Sequence, residues 1–554
     1  MLPAAFDRTA ALERLERTAF DVVVIGGGIT GVGCALDAAS RGLRTALVER
    51  DDFASGTSSK SSKLVHGGIR YLQQGEVRLV YEALAERQVL HRNAPHLVKV
   101  LPFLIPILSA DGVIDPRLAR AMGSAMWTYD LTGGVRIGKL HRRVDVDEAL
   151  ELFPTLAADR LLPSYLYYDA EADDARLCVT VARTAALRHG AVIANRTEVT
   201  GLRKRADGRV DGVTVRADGR EFTVDCRAVV NATGVWSDAV RSFDEPSHAP
   251  AIRPAKGVHI TLPWAKVRNT VAAVLPVPGD KRSVFVVPWG EFTFVGTTDT
   301  DYDGPLDDPS CTAEDAEYLL RALNAAIDDP VTADDIVGSW AGLRPLVAAP
   351  GVSGRTADLS RRHHVHSSGT GVVTITGGKL TTYRRMAEDT IDEVVHHVLD
   401  LDALWRLRHP SRTKRIRLHG ANGYDELLAD ADRLSPLGET QVRRLLDRYG
   451  SDATTVLAIA ESDPALAEPL VPGLDYLCAE AIFAVRYEMA GSVDDVLSRR
   501  TRARLQARDD SARAADAVAR LIGDELGWDA DECVSQVTAY RKSIEAEDVA
   551  ISGR

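Results

Sequence analysis

The segment from Asp21 to Glu49, DVVVIGGGITGVGCALDAASRGLRTALVE, constrains the fold more than any other part of the chain. Val22–Ile25 is a short, apolar, largely β-branched run, which predicts a buried strand of a parallel sheet. Gly26, Gly28 and Gly31 follow at once in the spacing G-x-G-x-x-G. Such a turn needs one glycine to bend, a second to let the backbone approach a pyrophosphate, and a third to let the next helix lie against the strand. The helix then presents its first amides and the positive end of its dipole to the phosphates. It is expected to end near Gly42, and Thr45–Val48 reads as a second strand closed by Glu49. A carboxylate there accepts hydrogen bonds from ribose hydroxyls and repels a 2′-phosphate, so a dinucleotide other than NADP is expected.

The continuation bears on which dinucleotide. Ser55–Lys63 is rich in hydroxyls. Beside a nucleotide turn, Thr57, Ser58, Ser61 and Lys63 are suited to phosphate and ribityl oxygens. His66-Gly67-Gly68 lets a flat ring come close to the backbone. These residues alone do not single out a flavin.

At 554 residues the chain is too long for one hydrophobic core, so two or three domains are expected. A hydrophobic fraction of 45% and a charged fraction of 26% are those of a globular protein. The net charge of −12 gives a nucleic-acid role no electrostatic support. Residues 1–20 lack the apolar centre of a secretory signal, and no apolar run is long enough to span a bilayer. Six scattered cysteines form no CxxC pair, so neither a metal site nor a disulfide framework is expected, and Cys34 should pack within the first helix. His363, His364 and His366 lack a supporting acidic or cysteine pattern and read as a polar loop.

Farther along, Val192–Val199 and Ala228–Val230 read as strands joined by a meander that turns at Asp207-Gly208 and Asp218-Gly219. Val372–Thr376 is another strand, followed by Gly377-Gly378 and a helix from Lys379. Ser283–Pro288 and Phe292–Gly296 predict a mixed or antiparallel sheet inserted in the nucleotide fold. Beyond about residue 400, Val442, Leu445 and Leu446, then Ile482, Val485, Met489, Val493 and Val496, keep helical spacing.

Several motifs together resemble the FAD-dependent, respiratory glycerol-3-phosphate dehydrogenases over nearly the whole chain. They are GGGITGVG (26–33), TSSKSSKLVHGGIRYL (57–72), NATGVWSD (231–238), KGVHI (256–260), GTTDTDYDG (296–304), AGLRPL (341–346), TGGKLTTYR (376–384) and EAIFAVRYEMAGSVDDVLSRRTR (480–502). The fold class expected is α/β. A Rossmann-like FAD-binding domain is split over 18–110, 160–245 and 360–400. A mixed or antiparallel β-sheet substrate (cap) domain spans 111–159 and 246–359, and an α-helical C-terminal domain spans 401–554. The resemblance implies noncovalent FAD, oxidation of sn-glycerol 3-phosphate to dihydroxyacetone phosphate by hydride transfer to flavin N5, and delivery of electrons to a membrane quinone. It adds Val199 near the adenine, and Ala232 and Gly234 beside FAD. Gly377, Gly378, Lys379 and Leu380 are expected at the flavin, where a helix start can stabilise negative charge.

Oxidising a secondary alcohol requires a base for the hydroxyl proton and cations that hold the phosphate. His259, in KGVHI, is the candidate base, since neutral imidazole accepts a proton near neutral pH. Arg344, in AGLRPL, is expected to polarise the reacting oxygen beside it. Arg70 and Tyr71 are expected at the substrate phosphate, with Lys379 and more weakly Thr382 as further ligands. Asp299 is left open between a structural and a flavin-adjacent role. Pro116–Leu131, with the basic residues downstream, reads either as a core-facing helix or as an amphipathic element on the inner face of the cytoplasmic membrane. The family's quinone acceptor tips this toward a cytoplasmic protein attached peripherally to the plasma membrane. A homodimer is left open. The competing functions are a glycerol-3-phosphate oxidase that reduces O2 to H2O2, an amine or amino-acid oxidase of the same fold, and a noncatalytic flavin-binding regulator.

Overall fold

Strand β1 (Phe20–Ile25) has a parallel partner on each side, β2 (Thr45–Val48) and β10 (Arg220–Asn231), which is why its sequence is apolar almost without a break. The computed structural model describes residues 6–68, 76–109, 139–280, 282–347 and 362–552. Adding β7 (Val192–Ala194), β17 (His364–Ser367) and β18 (Val372–Thr376), the first sheet has the order β17-β18-β10-β1-β2-β7. These six strands come from distant parts of the chain, and among them only β17 runs antiparallel to its neighbour. The helix Ile29–Ser40 packs on this sheet with Asp174–His189 and Tyr383–Glu393. Cys34 and Cys178 are buried among them. The expected meander is β8 (Glu198–Lys204), β9 (Val210–Ala217) and β10, turning where Gly208, Asp218 and Gly219 take positive φ.

The second sheet has the order β15-β11-β14-β13-β12-β4-β6-β3. Near one end of it, β11 (Ile252–Pro263) lies between β16 (Gly338–Val347) on one side and β14 (Phe292–Gly296) with β15 (Thr300–Asp301) on the other. The far strands are β12 (Ala272–Pro276), β13 (Ser283–Trp289), β4 (Lys99–Leu108), β6 (Leu161–Glu171) and β3 (Leu64–Val65). Strands β3, β4 and β6 were expected with the FAD-binding part. In the sheets, β4 runs parallel to β12, and β6 bridges β4 to β3, so all three extend the second sheet. One link, β12–β4, is parallel, and the sheet is therefore mixed.

The three histidines expected in a loop are also placed differently. His364 and His366 lie in β17, paired with β18, while His363 Nε2 is 2.9 Å from Asp389. No group of three potential metal ligands occurs among the described residues. The C-terminal part is helical, including Glu439–Tyr449, Ala453–Ser462, Cys478–Glu488, Arg508–Leu526 and Ala530–Ser552. Val442, Leu445, Leu446 and Ile482 share one of its cores, and Val493 and Val496 the other. No helix among the described residues is long and apolar enough to cross a membrane. Pro116–Leu131 lies outside the described residues.

Candidate active site

A long cleft opens at the carboxyl ends of β1, β2, β10 and β18, the edge at which open parallel sheets take their ligands. Gly26, Gly28, Glu49, Thr57, Ser58, Val199, Ala232, Gly234, Gly377, Gly378, Lys379 and Leu380 all line it. Gly26 takes φ +109°, and a Cβ there would stand 2.8 Å from the Ala232 carbonyl. Gly31 sits behind the cleft wall, where a Cβ would come within 1.9 Å of the Gly26 carbonyl oxygen. The helix therefore starts directly under the turn, and its first amides face the cleft.

Glu49 orients the turn from the other side. Its carboxylate accepts hydrogen bonds from the amides of Gly27 (2.6 Å) and Asp51 (2.8 Å). Burial pushes the carboxyl up to about 7 against these two bonds, although the side chain still reaches the cleft surface. Ser58 Oγ accepts from the Ile29 amide at 2.8 Å, and Thr57 Oγ1 donates to the Leu343 carbonyl at 2.6 Å. The hydroxyl-rich loop thus ties the glycine turn to the second sheet. A buried acid, a glycine turn with its helix start, and Lys379 in one cleft are the donor and acceptor set a dinucleotide such as FAD calls for.

Other expected cofactor residues lie off the cleft lining. Ser61 donates through both its amide (3.0 Å) and its hydroxyl (2.7 Å) to Asp174. Lys63 is buried, 3.5 Å from Asp174 and 4.3 Å above the Trp340 ring. Burial lowers its pKa to about 8 against the pull of Asp174. His66 and Gly67 donate their amides to Thr381 Oγ1 (3.1 Å) and Asp169 (3.3 Å), and Gly68 turns with φ +77°. Thr382 is buried and donates its hydroxyl to the Lys379 carbonyl at 3.4 Å. Arg70 and Tyr71 lie outside the described residues.

His259 and Arg344 project from the same face of the second sheet, because the register sets His259 opposite Trp340 and Ala255 opposite Arg344. Space for both comes from glycine. A Cβ on Gly296 would meet the His259 ring at 2.0 Å, and one on Gly257 would meet the Arg344 guanidinium at 2.5 Å. The imidazole stacks on Trp340 with ring centres 4.8 Å apart and 8° between planes. Burial, and then the Lys63 and Arg344 cations, push its pKa well below 6.5. The ring is thus neutral and able to accept a proton. Arg344 donates to Asp299 (3.1 Å), to Thr297 Oγ1 and to the Thr298 carbonyl (both 3.2 Å). Asp299 is therefore the carboxylate that anchors this guanidinium.

Two participants escaped the sequence reading. Ser62 Oγ lies 2.8 Å from His259 Nε2. Its neighbours in SSK drew attention as cofactor ligands, and nothing in local spacing links residue 62 to residue 259. Thr197 also lines the cleft, and its amide donates to the Glu49 carbonyl at 2.7 Å. Neither His259 nor Arg344 is among the residues that line the cleft, but Pro345, next to Arg344 on β16, is, so the cleft reaches the strand that carries the guanidinium.

Comparison with known proteins shows the family. Residues 21–384 match the sequence model of the FAD dependent oxidoreductase family, and residues 411–533 match that of the C-terminal domain of alpha-glycerophosphate oxidase. Glycerol-3-phosphate dehydrogenase 2 of Mycobacterium bovis is 43% identical over 546 residues, covering 98% of this chain and 90% of its own. The human mitochondrial glycerol-3-phosphate dehydrogenase is 37% identical over 97% of this chain and 74% of its own. The structure of the Bacillus halodurans glycerol-3-phosphate dehydrogenase complexed with FAD aligns with TM-score 0.78 and 31% identity, over 98% of this chain and 97% of that one. The chain belongs to the FAD-dependent glycerol-3-phosphate dehydrogenase family, and FAD is its cofactor.

Proposed function

We propose that this protein oxidises sn-glycerol 3-phosphate to dihydroxyacetone phosphate and passes the electrons to a membrane quinone. The observation that carries the reading is His259, buried, neutral and held between Ser62 and Trp340 on the wall that also bears Arg344. The name borne by the mycobacterial and human relatives supports the substrate. FAD, when bound, supplies the hydride acceptor.

His259 takes the proton from the C2 hydroxyl of the substrate. Arg344 stabilises the negative charge that develops on that oxygen, and Asp299 keeps its guanidinium aimed. Lys379 contributes positive charge to the same cleft. Arg70 and Tyr71 hold the phosphate in this reading. Glu49 accepts the ribose hydroxyls, and the helix start meets the pyrophosphate. Protein that joins the membrane does so peripherally, from the cytoplasmic side.

The test is the anaerobic absorption spectrum of the purified holoprotein before and after glycerol 3-phosphate. Bleaching of the flavin band by this substrate, and not by glycine or proline, is expected; no bleaching overturns the substrate assignment. Turnover with a soluble quinone analogue in air then tests the acceptor. Stoichiometric hydrogen peroxide with no quinone reduction would replace quinone by O2.

A further inference from the structure

The loop after Glu49 is a strap across the glycine turn. Glu49 receives the Gly27 amide, the Ala54 amide returns to the Gly27 carbonyl at 3.2 Å, and Ser58 receives the Ile29 amide. The middle of this strap is held by the C-terminal domain rather than by the FAD-binding fold alone. Asp52 is buried with 1% of its surface exposed. Arg500 grips it with two parallel bonds, both 2.8 Å, and Arg499 Nε adds a third at 2.7 Å. Burial would raise the Asp52 carboxyl, but these two guanidinium groups outweigh it and hold the group well below the usual carboxylate range.

The same short segment reaches the far end of the loop. Arg502 pairs with Asp173 at 2.8 Å and with Asp174, and Asp174 accepts both the amide and the hydroxyl of Ser61. Arg196, next to Thr197 at the cleft, donates to Asp495 at 2.5 Å and gives its amide to the Asp51 carbonyl at 2.8 Å. A buried carboxylate stripped of its cations costs several kcal/mol, so the strap cannot keep this path once the arginines leave. Bidentate guanidinium contacts also fix direction, which a single ammonium does not.

We propose that the arginine segment Arg499–Arg502 is a positioning clamp through which the C-terminal domain holds the 49–61 loop closed on FAD and sets how fast the cofactor leaves. The clamp gives the helical domain a part in cofactor retention without touching the cofactor. The proposal rests on the reading that FAD lies with its ribose at Glu49.

The test is the rate at which flavin fluorescence appears when holoprotein is diluted into cofactor-free buffer, a measurement that needs no substrate. Arg500→Lys keeps the charge and loses the fork, Arg500→Met loses both, and Asp52→Asn loses the acceptor charge. Arg508→Gln is the control, because Arg508 pairs with Asp509 and Asp548 within the C-terminal helices, away from the loop. Release about tenfold faster is expected for Arg500→Met and Asp52→Asn, with Arg500→Lys between them and wild type, and wild-type release for Arg508→Gln. Should Arg500→Met not accumulate as folded protein, Arg499→Gln and Arg500→Lys carry the comparison. Wild-type release rates in Arg500→Lys, Arg499→Gln and Asp52→Asn together overturn the clamp. So does acceleration by Arg508→Gln equal to theirs, which would mark a general loss of stability. Glu49→Gln is run alongside. Wild-type release there overturns the ribose placement, while faster release in the clamp variants in the same experiment still supports the clamp.

Discussion

Ser62 Oγ lies 2.8 Å from His259 Nε2, and the imidazole is pressed flat against Trp340 on its other side. The hydroxyl fixes the ring's rotation, and the indole fixes its plane. Ser62→Ala removes one neutral hydrogen bond, worth about 1 kcal/mol. We expect the rate of flavin reduction by glycerol 3-phosphate to fall roughly fivefold, with FAD content unchanged, as read by anaerobic stopped flow. An unchanged rate would mean that stacking alone holds the ring.

The low pKa of His259 has a definite sign. Its first cause is burial, followed by the Lys63 and Arg344 cations. The ring therefore stays neutral as the pH falls past 6.5, and the acid limb of kcat/KM lies below that value. Lys63→Met removes one of the two cations and should move this limb toward higher pH. For stability, the unfolded chain binds the histidine proton below about 6.5 while the folded chain does not. Stability is thus expected to decline as the pH falls through that range, and His259→Gln should flatten this part of the profile in urea titrations.

Gly296 makes room for the base. Its added Cβ would lie 2.0 Å from the His259 ring, so Gly296→Ala must displace the imidazole. A displacement of about 1 Å costs on the order of a hundredfold in rate. The expected result is a protein that holds FAD and is reduced about a hundred times more slowly.

Glu49→Ala removes the acceptor for the Gly27 and Asp51 amides and for the ribose. Hydrogen bonds to a charged group are worth about 1.5–3 kcal/mol. FAD binding should weaken by at least about tenfold in equilibrium titration of the apoprotein, whereas reduction of protein saturated with FAD should change little.

Arg176 and Glu488 join the FAD-binding fold to the C-terminal helices through a buried pair in which neither side chain is more than 2% exposed. Glu488→Ala leaves the guanidinium buried and unpaired at a cost of about 3–5 kcal/mol. A marked fall in the calorimetric Tm is expected, and Arg176→Met with Glu488→Met should recover part of it.

The parts of this structure legible in the sequence are those governed by local rules. The turn at Gly26–Gly31, the carboxylate after β2 and the meander turns at Gly208 and Asp218-Gly219 each follow from neighbours within a few residues. Pairing across long distances was harder to read. Strand β4 is apolar enough to fit either sheet, and only its bonds to β12 and β6 assign it. Histidines 364 and 366 carry little strand preference, and β18 recruits them. Ser62 meets His259 across 197 positions, and Asp52 meets Arg500 across 448, so spacing could not reveal either contact. Met489 has the helical spacing of the C-terminal cores, yet it leaves its helix with φ +56° and packs into the core of the FAD-binding fold.

The first sheet also carries a consequence for how the protein is made. Its central strand β10 ends at Asn231, but the neighbour that covers its open side, β18, begins only at Val372. At ordinary elongation speeds the ribosome needs on the order of ten seconds to cross that interval. Throughout it the nascent chain holds an apolar strand with unsatisfied edge hydrogen bonds, the kind of surface that recruits other chains. Conditions that slow translation between these two strands should therefore lower the yield of soluble protein more than equal slowing after residue 376, even though the finished molecule would be identical.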